Sequence, residues 1–310
     1  MTPQPRPARP DRLELGEGIR WTQAGIVLVD LLAGRLLASP DDPAAPLRTL
    51  AQLPVPLGAV APVAGHPGTW IAAAGTGIRL LHPDGTTSPL ASPEEGQGPR
   101  MRMNDAAADP SGRFWAGSMA YDTDEADGSL YRVDHDGTVE RVLDGITVPN
   151  GPVFTADGCS MYLADSARSV IRRYPVDPRT ARLGPPEVFV TVDDGSPDGM
   201  AIDQEGAVWV AVWGTGTVRR HLPDGTVDRI VRLPASRPAG VCLEGDVLHI
   251  TTARLGLNPP GRYDGALFDV RVEVPGTPAA PYRPAFSVLP AAGAVPRRDT
   301  RHQAPGQSPS

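Results

Sequence analysis

Between about Leu13 and Pro275, apolar and polar residues alternate in short runs rich in β-branched and aromatic side chains, as over 25–30, 113–117, 129–133, 160–164, 207–212 and 246–251. That two-residue period is the signature of half-buried strands, and no stretch sustains the 3.6-residue period of a helix. Asp-Gly pairs punctuate the runs: Asp84-Gly85, Asp136-Gly137, Asp157-Gly158 and Asp224-Gly225. Such pairs supply the positive φ of a tight hairpin, so these carboxylates are predicted to form turns rather than to bind ligands.

One phrase recurs in variant form at 109–117, 155–165, 203–211 and 243–251. Its spacing of roughly 40–50 residues is that of a four-stranded propeller blade. A second hairpin follows the phrase: after Trp209 come residues 217–222, the turn Asp224-Gly225 and residues 227–231. Dividing the roughly 260 patterned residues by that period gives about six blades, although counting alone leaves five or seven open. The predicted fold is therefore all-β, a six-bladed β-propeller of four-stranded blades around a central channel, spanning 13–290. Residues 1–12 are predicted to be a disordered N-terminal extension. Residues 291–310 are small, polar and proline-rich, too poor in apolar surface to order themselves, and are predicted to be a disordered tail.

Composition narrows the function classes. The chain has 310 residues, with 34 glycines, 36 prolines and 40 % hydrophobic residues against 5 % aromatic, the profile of a turn-rich folded protein. A formal net charge of −7 without any basic stripe argues against a nucleic-acid or anionic-membrane partner. Cys159 and Cys242 fit no metal-ligand spacing and read as buried free thiols. No apolar run approaches a bilayer span, and residues 1–10 lack an apolar segment behind their basic residues. A cytoplasmic protein is expected, with a monomer as the default for a closed propeller.

In a propeller the innermost strands surround the channel, so side chains near their starts converge on the axis. Just upstream of the repeated phrase stand Asn104-Asp105, Asn150-Gly151 and Asp198-Gly199, and Glu17-Gly18 precedes the first blade. Either of the pairs at Asn150 and Asp198 could alone be another hairpin turn. Each, however, follows a proline and precedes a strand phrase with its own separate turn, which makes a turn role redundant. Two carboxylates converging on one point repel unless a cation lies between them, so Glu17, Asn104, Asn150 and Asp198 are predicted to gather around one divalent metal ion. Oxygen ligation suits calcium, magnesium or manganese, and zinc or iron stay open because geometry as well as donor type decides.

Four blocks resemble the signature stretches of the senescence-marker-protein/gluconolactonase family, which includes regucalcin and bacterial sugar lactonases. They are Leu15–Gly18 with Trp21, Arg102-Met103-Asn104-Asp105 running on to Met119, Asn150-Gly151 running on to Asp165-Ser166, and Pro197-Asp198-Gly199-Met200 running on to Ala211. Residues 252–254 and 265–268 are similar to its closing blades. The resemblance implies a six-bladed propeller and a lactonase, that is, a gluconolactonase-like carboxylic ester hydrolase. It also implies one divalent cation held by Glu17, Asn150 and Asp198, with Arg102, Asn104 and Asp122 contacting substrate. The chain departs from the family at Ile19, where proline is usual, at Ala106, where glycine is common, and at Pro152, where an apolar residue is expected. None of these removes a ligand, but they alter the pocket wall, so the identity of the substrate does not transfer with the fold.

The expected chemistry is hydrolysis of a sugar lactone or similar cyclic ester, with the cation as Lewis acid, Asp198 as general base, and Asn104 and Arg102 orienting the substrate. Two other readings use the same residues: a non-hydrolytic propeller that binds a metal or ligand, and a pathway-specific hydrolase acting on another ester or a phosphotriester. Asp134–Gly137 and Asp122-Thr123-Asp124 begin like calcium loops but place neither glycine sixth nor glutamate twelfth. Residues 214–218 are glycine-rich yet lack the Lys-Ser/Thr of a phosphate loop. His82, His221 and His249 fall beside turns or inside strands and read as packing or surface residues.

Overall fold

The computed structural model describes residues 5–96 and 100–285. They form six four-stranded antiparallel sheets, and the innermost strands pack side by side, with that of blade six against that of blade one. The chain is thus the six-bladed propeller read from its repeats. From blade one to blade six the innermost strands are Gly16–Thr22, Leu57–Pro62, Met101–Ala108, Pro149–Phe154, Ser196–Ile202 and Pro238–Glu244. The second strands, such as Phe114–Ala120 and Val208–Trp213, are sandwiched between neighbouring blades and buried almost throughout. Outermost strands such as Val139–Ile146 are largely exposed, which is why their alternation is polar. No helix of the described residues is long and apolar enough to cross a membrane.

The recurring phrase locks the turn between first and second strands. In blade three Asp109 accepts the Arg113 backbone N–H at 2.9 Å through one oxygen and the Trp115 indole N–H at 3.0 Å through the other. Blade five repeats the device: Asp203 accepts Ala207 N–H at 3.1 Å and the Trp209 indole at 3.0 Å. Both carboxylates and both indoles are buried, so each phrase satisfies its polar groups while its tryptophan fills the space between blades. The Asp-Gly pairs at 84, 136, 157 and 224 are turns as expected. Each aspartate accepts a backbone N–H two residues on, from Thr86, Thr138, Cys159 and Thr226.

Two sequence expectations need correction. Part of the 1–12 extension belongs to the fold: Arg6–Pro7 is the fourth strand of blade six, paired with Asp269 and Phe268, and Ala8 N–H donates to Leu267 O at 2.8 Å. A two-residue edge strand containing proline carries no alternation to detect, and its pairing partner lies at the other end of the chain. Cys159 is exposed on a hairpin, so only Cys242 is a buried thiol. The tail predicted over 291–310 lies outside the described residues. Preceding it, residues 275–283 run beneath the ring, where Pro275 O accepts Gln204 N–H and the Ala279, Tyr282 and Arg283 N–H groups donate to Trp21, Pro62 and Gly112.

Every innermost strand breaks register once near its start. The breaks fall between Glu17 and Arg20, Leu57 and Ala59, Met103 and Ala106, Asn150 and Val153, Pro197 and Met200, and Pro238 and Gly240. Bulges of this kind free a residue from the ladder and re-aim its side chain. Here they act at the level where the blades crowd together: a Cβ on Gly58 would lie 2.0 Å from Asn104 O, and one on Gly199 would lie 2.7 Å from Ala239 O.

Candidate active site

The bulges of blades one, three, four and five carry Glu17, Asn104, Asn150 and Asp198, all buried. Blades two and six present Leu57-Gly58 and Ala239 at the corresponding breaks, so the polar cluster is built by four of the six blades. A chain of hydrogen bonds sets the orientation of both amides. The Ser166 hydroxyl contacts Pro197 O at 2.5 Å and accepts Asn150 Nδ2 at 2.8 Å. Asn150 Oδ1 accepts Asn104 Nδ2 at 2.8 Å, and Asn104 Oδ1 accepts Arg102 Nη1 at 2.6 Å. Each bond is donated towards a fixed acceptor, so neither amide can flip without losing two partners.

The carboxylates divide into two kinds. Asp105 is fully engaged: Oδ1 accepts Arg20 Nη2 and Ala106 N–H, both at 2.8 Å, and Oδ2 accepts Gly151 N–H at 2.9 Å. Glu17 Oε2 and Asp198 Oδ1, by contrast, are buried with no hydrogen-bond partner. Burial, reinforced by the charge of Asp105, pushes Glu17 up to about 8 from 4.5. Burial also raises Asp198 well above the usual carboxylate range, with the charges of Glu17 and Asp105 adding to it. Arg102 is held below its ordinary value by burial, against the pull of Glu17 and Asp198. Unsatisfied buried carboxylate oxygens are costly, and the donor set of two carboxylates and an amide fits a hard divalent cation. Among the described residues no group of three His, Cys, Asp or Glu side chains is arranged to hold an ion.

The structure thus brings together Glu17, Arg102, Asn104, Asn150 and Asp198. Asp122 is exposed on the loop after Phe114–Ala120, next to Tyr121, and its carboxylate accepts Asp124 N–H at 3.2 Å. Asp105, Arg20 and Ser166 complete the cluster without having been singled out for it. Asp105 and Ser166 each follow a recognised residue directly, and only the three-dimensional crossing of blades shows what they hold. A 340 Å³ cavity lies further down the channel, lined by Ile19–Trp21, Pro152–Thr155, Met200–Gln204 and the crossing segment Thr277–Ala280. Two of the departures from the family pattern, Ile19 and Pro152, line this lower cavity, and Arg20 stands between it and Asp105.

The family profile described as "SMP-30/Gluconolactonase/LRE-like region" matches residues 15–254. The chain belongs to this family. Among curated proteins, one relative is the 6-deoxy-6-sulfogluconolactonase of Pseudomonas putida, 34 % identical over 275 residues that cover 84 % of this chain and 92 % of the relative. Among solved structures, regucalcin of Agrobacterium tumefaciens, described as a calcium-binding protein, superimposes with a TM-score of 0.82 at 27 % identity, covering 91 % of this chain and 98 % of that one. A luciferin-regenerating enzyme at 24 % identity reaches a TM-score of 0.83, covering 91 % and 99 %, and shares the fold. In this SMP-30/gluconolactonase-like chain the matched region contains every bulge residue of the cluster and ends before the segment that crosses beneath the ring.

Proposed function

We propose that the protein is a lactonase that opens a sugar lactone or similar cyclic ester at the upper end of the channel, and that it does so with a divalent cation. The observation that carries this reading is the pair of buried, unpartnered carboxylate oxygens on Glu17 and Asp198 beside two oriented amides. Family membership and the lactonase name of the Pseudomonas putida relative support it. Glu17, Asn150 and Asp198 would hold the cation. When bound, it would polarise the lactone carbonyl as a Lewis acid and make water a stronger nucleophile at neutral pH.

The chain's own residues do the remaining work. Arg102, tied to Asn104 Oδ1 at 2.6 Å, presents its planar guanidinium to substrate oxygens, while Asn104, whose Nδ2 is spent on Pro149 O and Asn150 Oδ1 at 2.8 Å each, offers the remaining lone pair of its Oδ1 to a substrate hydroxyl. Asp198 takes a proton from the attacking water as the new C–O bond forms and returns it to the ring oxygen as the ring C–O bond breaks, leaving one carboxylic acid and one hydroxyl. A positioned base of this kind contributes about 10²–10⁴-fold.

A panel of aldonolactones followed by proton release, with metal analysis of the same sample and of Glu17→Gln, tests the reading. Turnover that disappears with chelation and with Glu17→Gln is the expected result. Full turnover in excess chelator with no metal in the sample would exclude the metal-dependent mechanism, and no turnover on any lactone with metal in place would point to a non-hydrolytic binding propeller.

A further inference from the structure

Along a strand, side chains two residues apart share a face, so Arg102 and Asn104 stand in file at the start of Met101–Ala108. The pairing extends one step above the strand, where Tyr121 N–H donates to Arg100 O at 3.0 Å, and this places Arg100 next in the file, at the mouth of the channel. The Tyr121 ring carries both guanidiniums, with Arg100 Cζ 4.3 Å and Arg102 Cζ 5.9 Å from its centroid. Arg102 is tethered from below through Nη1 alone, to Met103 O and Asn104 Oδ1, and its Nε and Nη2 have no protein acceptor among the described residues. Arg100 is exposed and, among the described residues, has no carboxylate within ion-pair distance.

Several strand arginines are paired with acids, Arg20 with Asp105, Arg35 with Asp30, Arg132 with Asp134 and Glu140, and Arg220 with Asp203, Glu205 and Asp228, whereas among the described residues neither Arg100 nor Arg102 has a carboxylate within ion-pair distance. Two guanidiniums gathered at one aromatic ring repel each other, and the ring offsets only part of that repulsion. An anion set between them would be held by charge-assisted hydrogen bonds from both forks.

We infer that Arg100, Tyr121 and Arg102 form a subsite for an anionic substituent, a carboxylate, sulfonate or phosphate, borne by the lactone at the end remote from its carbonyl. The inference rests on the lactonase reading for its substrate, but its geometry is that of the mouth and not of the cation cluster. Arg102 serves both, which places the anionic arm directly above the Asn104 amide. Tyr121 is the platform that keeps Arg100 over the channel, so the pair acts as one unit.

The test compares two sugar lactones that differ only in their terminal group, a phosphate or carboxylate in one and a hydroxymethyl in the other. The ratio of their kcat/KM values is expected to favour the anionic lactone by roughly tenfold or more, and to collapse in Arg100→Gln and Tyr121→Ala but not in Arg232→Gln, which removes the same charge from the outer strand of blade five. A ratio near one in the unmodified protein, or a preference that survives Arg100→Gln, would overturn the inference and leave the lactonase reading standing. Calorimetric binding of the corresponding open-chain acids decides the matter independently of turnover. Tighter binding of the doubly charged acid that is lost in Arg100→Gln supports the subsite even if no lactone is hydrolysed, and equal binding of the two acids sinks it.

Discussion

Blade five holds the same dipeptide twice, Asp198-Gly199 on its innermost strand and Asp224-Gly225 in the hairpin before its outermost one. At the rim Asp224 is exposed, accepts the Thr226 hydroxyl at 2.7 Å and its N–H at 2.9 Å, and is drawn below its ordinary value by those two bonds. Its glycine is there for its backbone, with φ +87. On the channel Asp198 is buried, has an oxygen with no partner and is pushed far the other way. Its glycine is there for want of a side chain, since a Cβ would press on blade six at Ala239 and Gly240. Identical letters are used for conformation in one place and for close approach in the other, and the charge follows: satisfied where water reaches it, left without a partner where neighbouring blades close over it.

The largest expected effect separates those two aspartates most sharply. Asp198→Ala should lower kcat/KM on a lactone by about 10²–10⁴-fold or more, because both the base and one oxygen donor are lost. Metal analysis of the variant should show a weakened or empty site. A smaller but wider effect follows from protonation. Glu17 titrates at about 8 in the folded chain against 4.5 when unperturbed, so in the cation-free protein its contribution to stability is complete below about pH 4.5 and is lost as pH rises through about 8. Asp198 acts in the same direction. The melting temperature of chelated protein should therefore decline across that interval, and adding a divalent cation should restore most of it at the alkaline end. A chelated sample equally stable at both ends would mean that these carboxylates have partners other than a cation.

Ser166 sharpens the comparison one shell out. Its hydroxyl holds Asn150 Nδ2, so Ser166→Ala should weaken cation binding by about 10–100-fold, read by titration, with a far smaller change in kcat once the cation is saturating. Equal affinity in variant and parent would show that Asn150 keeps its orientation through Asn104 alone. The smallest effect belongs to Asp224→Ala, which should leave turnover and metal content unchanged and cost only a slight loss of melting temperature.

Much of this was legible before any coordinates. The fold is visible because a propeller repeats its local physics: Asp109 and Asp203 each satisfy a turn and an indole, so the phrase must recur with its spacing intact. The cluster is visible because Glu17, Asn104, Asn150 and Asp198 stand before those phrases without a turn to make. Contacts between blades are another matter. Nothing local ties Asp105 to Gly151 or Ser166 to Pro197, which are brought together only by the crowding of neighbouring strands. Arg6–Pro7 is hidden for the opposite reason, since a strand of two residues has no period at all.

The pairing of Arg6–Pro7 with Asp269 and Phe268 bears on how the molecule is made. This short strand has no partner until Phe268 and Asp269 have been synthesised, so the sixth sheet lacks its margin until then. The ring gains its seal only when two segments far apart in the sequence meet, and this longest-range pairing should be among the last events of folding.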